Sequence, residues 1–119
     1  MATQLKQQAD TQFSGYNDAA EQEMVGRARE LKRLLEKHAP YGDENGTLHP
    51  EVFQALGDAG FWAMAAPRRW GGLGTSARCM SLVGYELAKA DPSVGWVYTV
   101  LHGTTWVASL GPDALPDLL

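Results

Sequence analysis

Met24, Ala28, Leu31, Leu35 and His38 follow one another at steps of four, three, four and three, the repeat that lines one face of an α-helix. Glu21, Glu23, Arg27, Arg29, Glu30, Lys32, Arg33, Glu36 and Lys37 fill the opposite side. The pattern predicts a first helix over Asp18 to His38, with acids early and bases late as the helix dipole favours. Pro40 is predicted to stop it. Tyr41 to Gly46 then reads as a loop. A second helix starts at Pro50, a residue suited to the first turn, with Val52, Phe53, Leu56 and Gly60 as its buried stripe. A third runs from Thr75 to Ala90, marked by Met80, Val83 and Leu87 and capped by Ser76 or Thr75. Asp91-Pro92 opens a fourth, which reaches Leu110 and ends at Gly111-Pro112. Asp113 to Leu119 reads as a short amphipathic turn or helix. No Val/Ile/Thr-rich alternating run calls for a strand. The expected fold class is all-α, with about four to five helices.

The fourth helix belongs to a run of twenty-one residues without Lys, Arg, Asp or Glu. That length could span a bilayer. Ser93, Thr99, His102, Thr104, Thr105 and Ser109 interrupt it, together with three glycines, and acids flank it instead of a positive cluster. A helix buried inside a protein is the better reading, and no membrane partner is expected. On a helical wheel Trp96, Val100, Gly103 and Val107 share one direction, while Tyr98, His102, Thr105 and Trp106 cluster on the other side. Two readings are open. One is the wall of a ligand pocket; the other is a central bundle helix whose threonines bond back to its own carbonyls.

Trp70-Gly71-Gly72-Leu73-Gly74 packs three glycines into four residues, so the chain turns sharply or passes close to something there. It is not a phosphate loop, because no Gly-Lys-Ser/Thr ends it. It is not a dinucleotide fingerprint either, since Ala77 stands where a third glycine belongs and no strand precedes it. Asp43-x-Asn45 fails the calcium-loop spacing. No His-x-x-x-His or Cys-x-x-Cys pair is present, and no metal site is expected. His38, His49 and His102 stand on separate segments. Cys79, beside Met80, reads as a small packed side chain.

Composition narrows the class further. A 119-residue chain with 45% hydrophobic and 20% charged residues is a globular domain, too apolar for disorder. A net charge of −4 argues against nucleic-acid partners, whose phosphates need clustered Lys and Arg. A single cysteine excludes an internal disulfide and points to a cytoplasmic setting. Met1 to Ala20 hold no apolar run and one basic residue, Lys6, so they form no secretory signal. Residues 1–17 read as a mobile polar tail and residues 18–119 as the folded domain. The ending at Leu118-Leu119, without polar residues, reads as a chain cut from something longer.

Leu56-Gly57-x-x-Gly60-Phe61, followed by Pro67-x-x-Trp70-Gly71-Gly72-x-Gly74, resembles the acyl-CoA dehydrogenase superfamily, whose N-terminal helical domain carries Leu-Gly-x-x-Gly-Leu and then Pro-Glu-Glu-Tyr-Gly-Gly-x-Gly. Tyr85-Glu86-Leu87-Ala88-Lys89-Ala90-Asp91-Pro92-Ser93 is similar to its Glu-Glu-Leu-Ala-Arg-x-Asp-x-Ser. Leu110-Gly111-Pro112-Asp113-Ala114-Leu115 resembles the turn before its β-domain. The likeness runs collinearly over residues 18–119. It implies a flavin, FAD or FMN, bound mostly by a β-domain and a C-terminal helical bundle absent from this chain. It also implies a small-molecule substrate and a homo-oligomer in the full-length form. The segment for the dehydrogenase's catalytic glutamate is absent too, and no catalytic residue is assigned.

Two details resemble one branch. Arg68-Arg69 replaces the usual acids, and Ser93-Val94-Gly95-Trp96-Val97 is similar to the Gly-Trp signature of two-component flavin monooxygenases, which take reduced flavin from a separate reductase. In that branch the tryptophan matching Trp96 lies against the flavin, and a histidine eight residues on reaches an aromatic substrate. Here that place is Thr104, and His102 lies roughly 160° away on the wheel. The resemblance therefore implies Trp96 as a cofactor contact and Val100, His102 and Thr104 as substrate contacts, without phenol hydroxylation as the fixed reaction. A monooxygenase using reduced flavin and O2 is the first expectation. The alternatives are α,β-dehydrogenation of an acyl thioester and a non-catalytic helical interaction module.

Overall fold

The structure, a computed structural model, describes residues 18–108. Among these, five α-helices form and no strand does: α1 Asp18–Glu30, α2 Lys32–Asn45, α3 Pro50–Asp58, α4 Ala77–Ala90 and α5 Pro92–Ala108. Short 3-10 turns lie at Phe61–Ala63 and Arg68–Trp70, between α3 and α4. The all-α expectation holds. The expected ends of the fourth helix and of the chain, Leu110 to Leu119, lie outside the described residues, as does the N-terminal tail. Among the described residues no helix is long and apolar enough to cross a membrane.

The first helix departs from its expected form in two places. It breaks at Leu31, whose N–H turns back to Ala28 O at 3.2 Å, and α2 resumes at Lys32. It then runs through Pro40 to Asn45. Proline removes the hydrogen bond that its own N–H would have given to the Glu36 carbonyl, and its ring crowds that carbonyl. Pro40 and Glu36 are both exposed, so water can take the place of that donor. The stop comes at Gly46, whose φ of 66° is the left-handed conformation of a C-cap and whose N–H bonds Gly42 O at 2.9 Å. Tyr41 to Asn45 are therefore helix and not loop.

In α3, Val52 and Leu56 are buried as expected, but Phe53 is 53% exposed. One residue on from Val52 it has rotated out of the stripe, and its ring lies 5.2 Å from that of Trp62. Gly60 lies beyond the end of α3, with φ 87°.

α4 is the centre of the domain and packs against α1, α2 and α5. Ser76 caps it by accepting from Cys79 N–H at 3.1 Å. Val83 and Leu87 are fully buried, and they meet Leu35, Leu56, Phe61, Met64 and Val94 in one core. Buried Glu21 of α1 sits at the α4 N-terminus, accepting from the Ser76 hydroxyl at 3.2 Å and facing Arg78 at 3.5 Å. The positive end of the helix dipole favours an acid there.

A second tie joins α1 to α4. Glu86 meets Lys89 at 2.9 Å and Arg29 at 3.3 Å. The Lys89 hydrogen bond, then Arg29, holds the Glu86 carboxyl below its ordinary value of 4.5. A carboxyl lowered by folding stabilises the fold above its unfolded pKa and loses that contribution as pH falls. Glu86→Gln is thus expected to lower the melting temperature near neutral pH. The gap to the parent should close as the pH is taken below about 4.5. A gap independent of pH would assign the loss to packing.

Candidate functional site

The geometry of α5 is set at its start. Asp91 is the single residue between α4 and α5, and its Oδ1 accepts from Ser93 N–H at 2.9 Å while Pro92 takes the first helical position. α5 then runs back along α4, and small residues let the two helices meet. A Cβ on Gly95 would lie 2.7 Å from Ala88 Cβ and 3.0 Å from Ala88 Cα. A Cβ on Gly84 would lie 3.1 Å from the Tyr98 ring. Tyr98 spans the crossing, its hydroxyl donating to Met80 O at 2.9 Å, and burial pushes its phenol pKa well up.

With Val94, Gly95 and Tyr98 turned to the core, the other side of α5 faces out. Trp96 is 71% exposed and Val100 46%, and Thr104 follows on the same line of four-residue steps. Leu101 is exposed beside them. Among the described residues α5 is buried on one side, because the small-residue crossing commits that face to α4. Three of the four residues singled out in the sequence share the open face.

His102 does not share it. Its ring lies 4.2 Å from that of Tyr98, and its Nδ1 is 2.7 Å from Tyr98 O. The carbonyl accepts, so Nδ1 carries the proton and Nε2 is a buried acceptor with no hydrogen-bond partner among the described residues. Two residues of helix turn it away from Thr104, as the wheel requires.

Thr99 and Thr104 do bond back to their own helix. Thr99 Oγ1 donates to Gly95 O at 2.9 Å and Thr104 Oγ1 to Leu101 O at 2.7 Å. Thr104 has spent its one donor and offers lone pairs only, so toward a ligand it accepts.

The glycine-rich segment closes behind this domain. Leu73, Gly74 and Thr75 donate their N–H groups to Ala63, Ala66 and Met64 carbonyls at 2.9 Å each. Gly71 and Gly74 take positive φ, 86° and 56°, and a Cβ on Gly72 would overlap the Ala66 backbone. Both expectations for the segment, a sharp turn and a close approach, are met. Beside it lies a cavity of about 150 Å³ lined by Glu21, Met24, Arg68, Leu73, Ser76 and Cys79. Burial, then the Glu21 charge, pushes the Cys79 thiol pKa up, which suits a packed residue and not a nucleophile.

Gly95 was silent in the sequence as a positioning residue. Its signal was the four-residue step from Gly84 to Ala88 on α4, which leaves a shallow groove for another helix.

The family model for the acyl-CoA dehydrogenase N-terminal domain matches residues 18–115 of this chain. YdbM of Bacillus subtilis (strain 168), assigned by name to the acyl-CoA dehydrogenases, is 33% identical over 92 residues, 71% of this chain and 23% of YdbM. The chain thus aligns with about a quarter of that relative's length. No solved structure gives a significant match.

Proposed function

Because this chain belongs to the acyl-CoA dehydrogenase family through that N-terminal domain, we propose that α5 walls the flavin and substrate site of an oxidoreductase that uses reduced flavin and O2. The observation carrying the proposal is Trp96, a large aromatic ring 71% exposed on a well-packed helix. With Val100 and Leu101 exposed beside it, Trp96 belongs to an apolar patch, and such a patch marks a surface that meets another molecule. α5 has no charged side chain, so its open face fits a planar, weakly polar ring better than a phosphate. A flavin bound there would supply the redox chemistry, and the protein would supply orientation and shielding.

In this reading Trp96 lies against the isoalloxazine. Val100 and Thr104 line the substrate side, with Thr104 as a hydrogen-bond acceptor, and His102 supports the helix from behind. Exclusion of water by this apolar face is the chain's main contribution to a reaction in which reduced flavin meets oxygen. The flavin, its reductase and the remaining domains belong to the proposal and not to the described residues. A cytoplasmic setting and a homo-oligomer belong to it as well.

The second reading is α,β-dehydrogenation of an acyl thioester. One experiment separates the two in the flavin-loaded protein. Oxygen consumption coupled to substrate oxidation, with reductase and NAD(P)H supplied, supports the first. Anaerobic bleaching of oxidised flavin by an acyl-CoA overturns it. At residue level, Trp96→Phe is expected to change flavin affinity severalfold while leaving the melting temperature within a few degrees, and Thr104→Val to change substrate KM. Unchanged flavin and substrate kinetics in both variants would make α5 a scaffold only.

A further inference from the structure

His38 and His49, far apart in the helical pattern, meet at the corner between α2 and α3. Their rings stack with centroids 3.8 Å apart and planes 17° apart. His38 Nε2 is 3.1 Å from Glu51 Oε2. One ring nitrogen from each histidine and one Glu51 carboxylate oxygen all lie within 4.8 Å of one another.

The three residues are held by the fold. His38 follows fully buried Leu35 on the inner face of α2, and its side chain is only 12% exposed. His49 is the N-cap of α3, fixed ahead of Pro50, with its Nδ1 accepting from Glu51 N–H at 3.1 Å. Tyr41, one turn beyond His38, packs edge-on against His49 at 4.7 Å. Glu51 is exposed, so the cluster opens to solvent.

We propose that His38, His49 and Glu51 form a binding site for a divalent transition-metal ion of the zinc class. Two imidazoles and one carboxylate suit zinc, cobalt, nickel or copper, whereas calcium and magnesium take oxygen donors. Ligands about 2.0–2.1 Å from zinc in tetrahedral array stand roughly 3.4 Å from each other. The His38–Glu51 pair is already near that spacing at 3.1 Å. His49 needs the further movement. Metal entry needs the His38 Nε2 lone pair free of the proton now between it and Glu51: in a neutral ring that proton moves to Nδ1, and only from an imidazolium is it released to solvent. His49 either gives up its Nδ1 lone pair from the Glu51 N–H or moves its proton to Nδ1 and ligates through Nε2. Three protein ligands leave the remaining positions to water. The ion ties the second half of α2 to the first turn of α3 across the Gly46–Leu48 link. The site is separate from the flavin proposal and stands whether or not that proposal does.

The chain, prepared without a histidine tag, is titrated with Co2+. The expected result is a saturable visible absorption spectrum at one ion per chain, displaced by Zn2+, with Zn2+ also raising the melting temperature. Mg2+ is expected to do neither. His38→Gln and Glu51→Gln are expected to abolish the spectrum. His49→Asn is expected to abolish it as well while keeping a side-chain acceptor at the N-cap, so that circular dichroism shows the helices intact. Absence of a saturable Co2+ spectrum in the parent overturns the site, and so does an undiminished spectrum in folded His38→Gln.

Discussion

Gly72→Ala is expected to cost at least about 3 kcal/mol, the upper end of what overpacking usually does. The added methyl would occupy the space of the Ala66 carbonyl and Cβ. Backbone cannot swing aside as a flexible side chain can. The three hydrogen bonds from Leu73, Gly74 and Thr75 to residues 63–66 fix the two chain segments at that separation. Relief requires breaking the bonds of this clasp, and it sits directly ahead of the Ser76 cap of α4. Chemical denaturation should show the loss as a lower midpoint at nearly constant slope. Gly71→Ala is the contrast: among the described residues, chain neighbours aside, no atom lies within 4 Å of its would-be Cβ, so the strain of φ 86° is the main cost. A Gly72→Ala protein as stable as the parent would mean that the clasp is not formed.

Phe61→Ala is expected to cost about 3–5 kcal/mol through lost transfer energy and the cavity left behind. Among the described residues Phe61 is the largest fully buried side chain, and its ring meets Tyr98 edge-on at 6.4 Å. It enters the core from a 3-10 turn that packs against α3 and α5, so the gap cannot close by a helix sliding inward. Phe61→Leu keeps an apolar side chain and should lose less than half as much. The same denaturation measurement ranks the two. Equal losses would show that ring shape, and not filled volume, governs the site.

The helical face of α1 and α2 was readable because Met24, Ala28 and Leu35 repeat at a fixed step and all three are buried. The caps at Ser76 and Asp91 were readable because short polar side chains there have a specific backbone partner. Pro40 misled because a local rule, that proline ends helices, was applied to a helix whose proline faces water and whose packing lies on the other side. On α5 the sequence carried the identity of Trp96, Val100 and Thr104 but not which side would be buried, since apolar residues lie nearly all round. The deciding fact, Gly95 against Ala88, is a tertiary contact. The meeting of His38, His49 and Glu51 was invisible for a similar reason. It depends on where the helix before Gly46 ends and on the turn that follows.

The crossing of α4 and α5 also bears on how this domain can change. Trp96, Val100 and Thr104 project from a helix whose orientation is set by Gly84, Ala88, Gly95 and Tyr98, none of which is on the open face. Orientation and surface chemistry are thus written in different residues of one element. Substitutions at 96, 100 and 104 carry little penalty to folding, so what restrains them is the molecule the face holds and not the stability of the domain. The crossing residues have no such latitude. Insertion of one residue at Asp91, which lies outside both helices, would lengthen the link and release the register that sets Gly95 against Ala88. Diversification on this scaffold is therefore expected by exchange of side chains along α5, and not by changes in length at the α4–α5 junction.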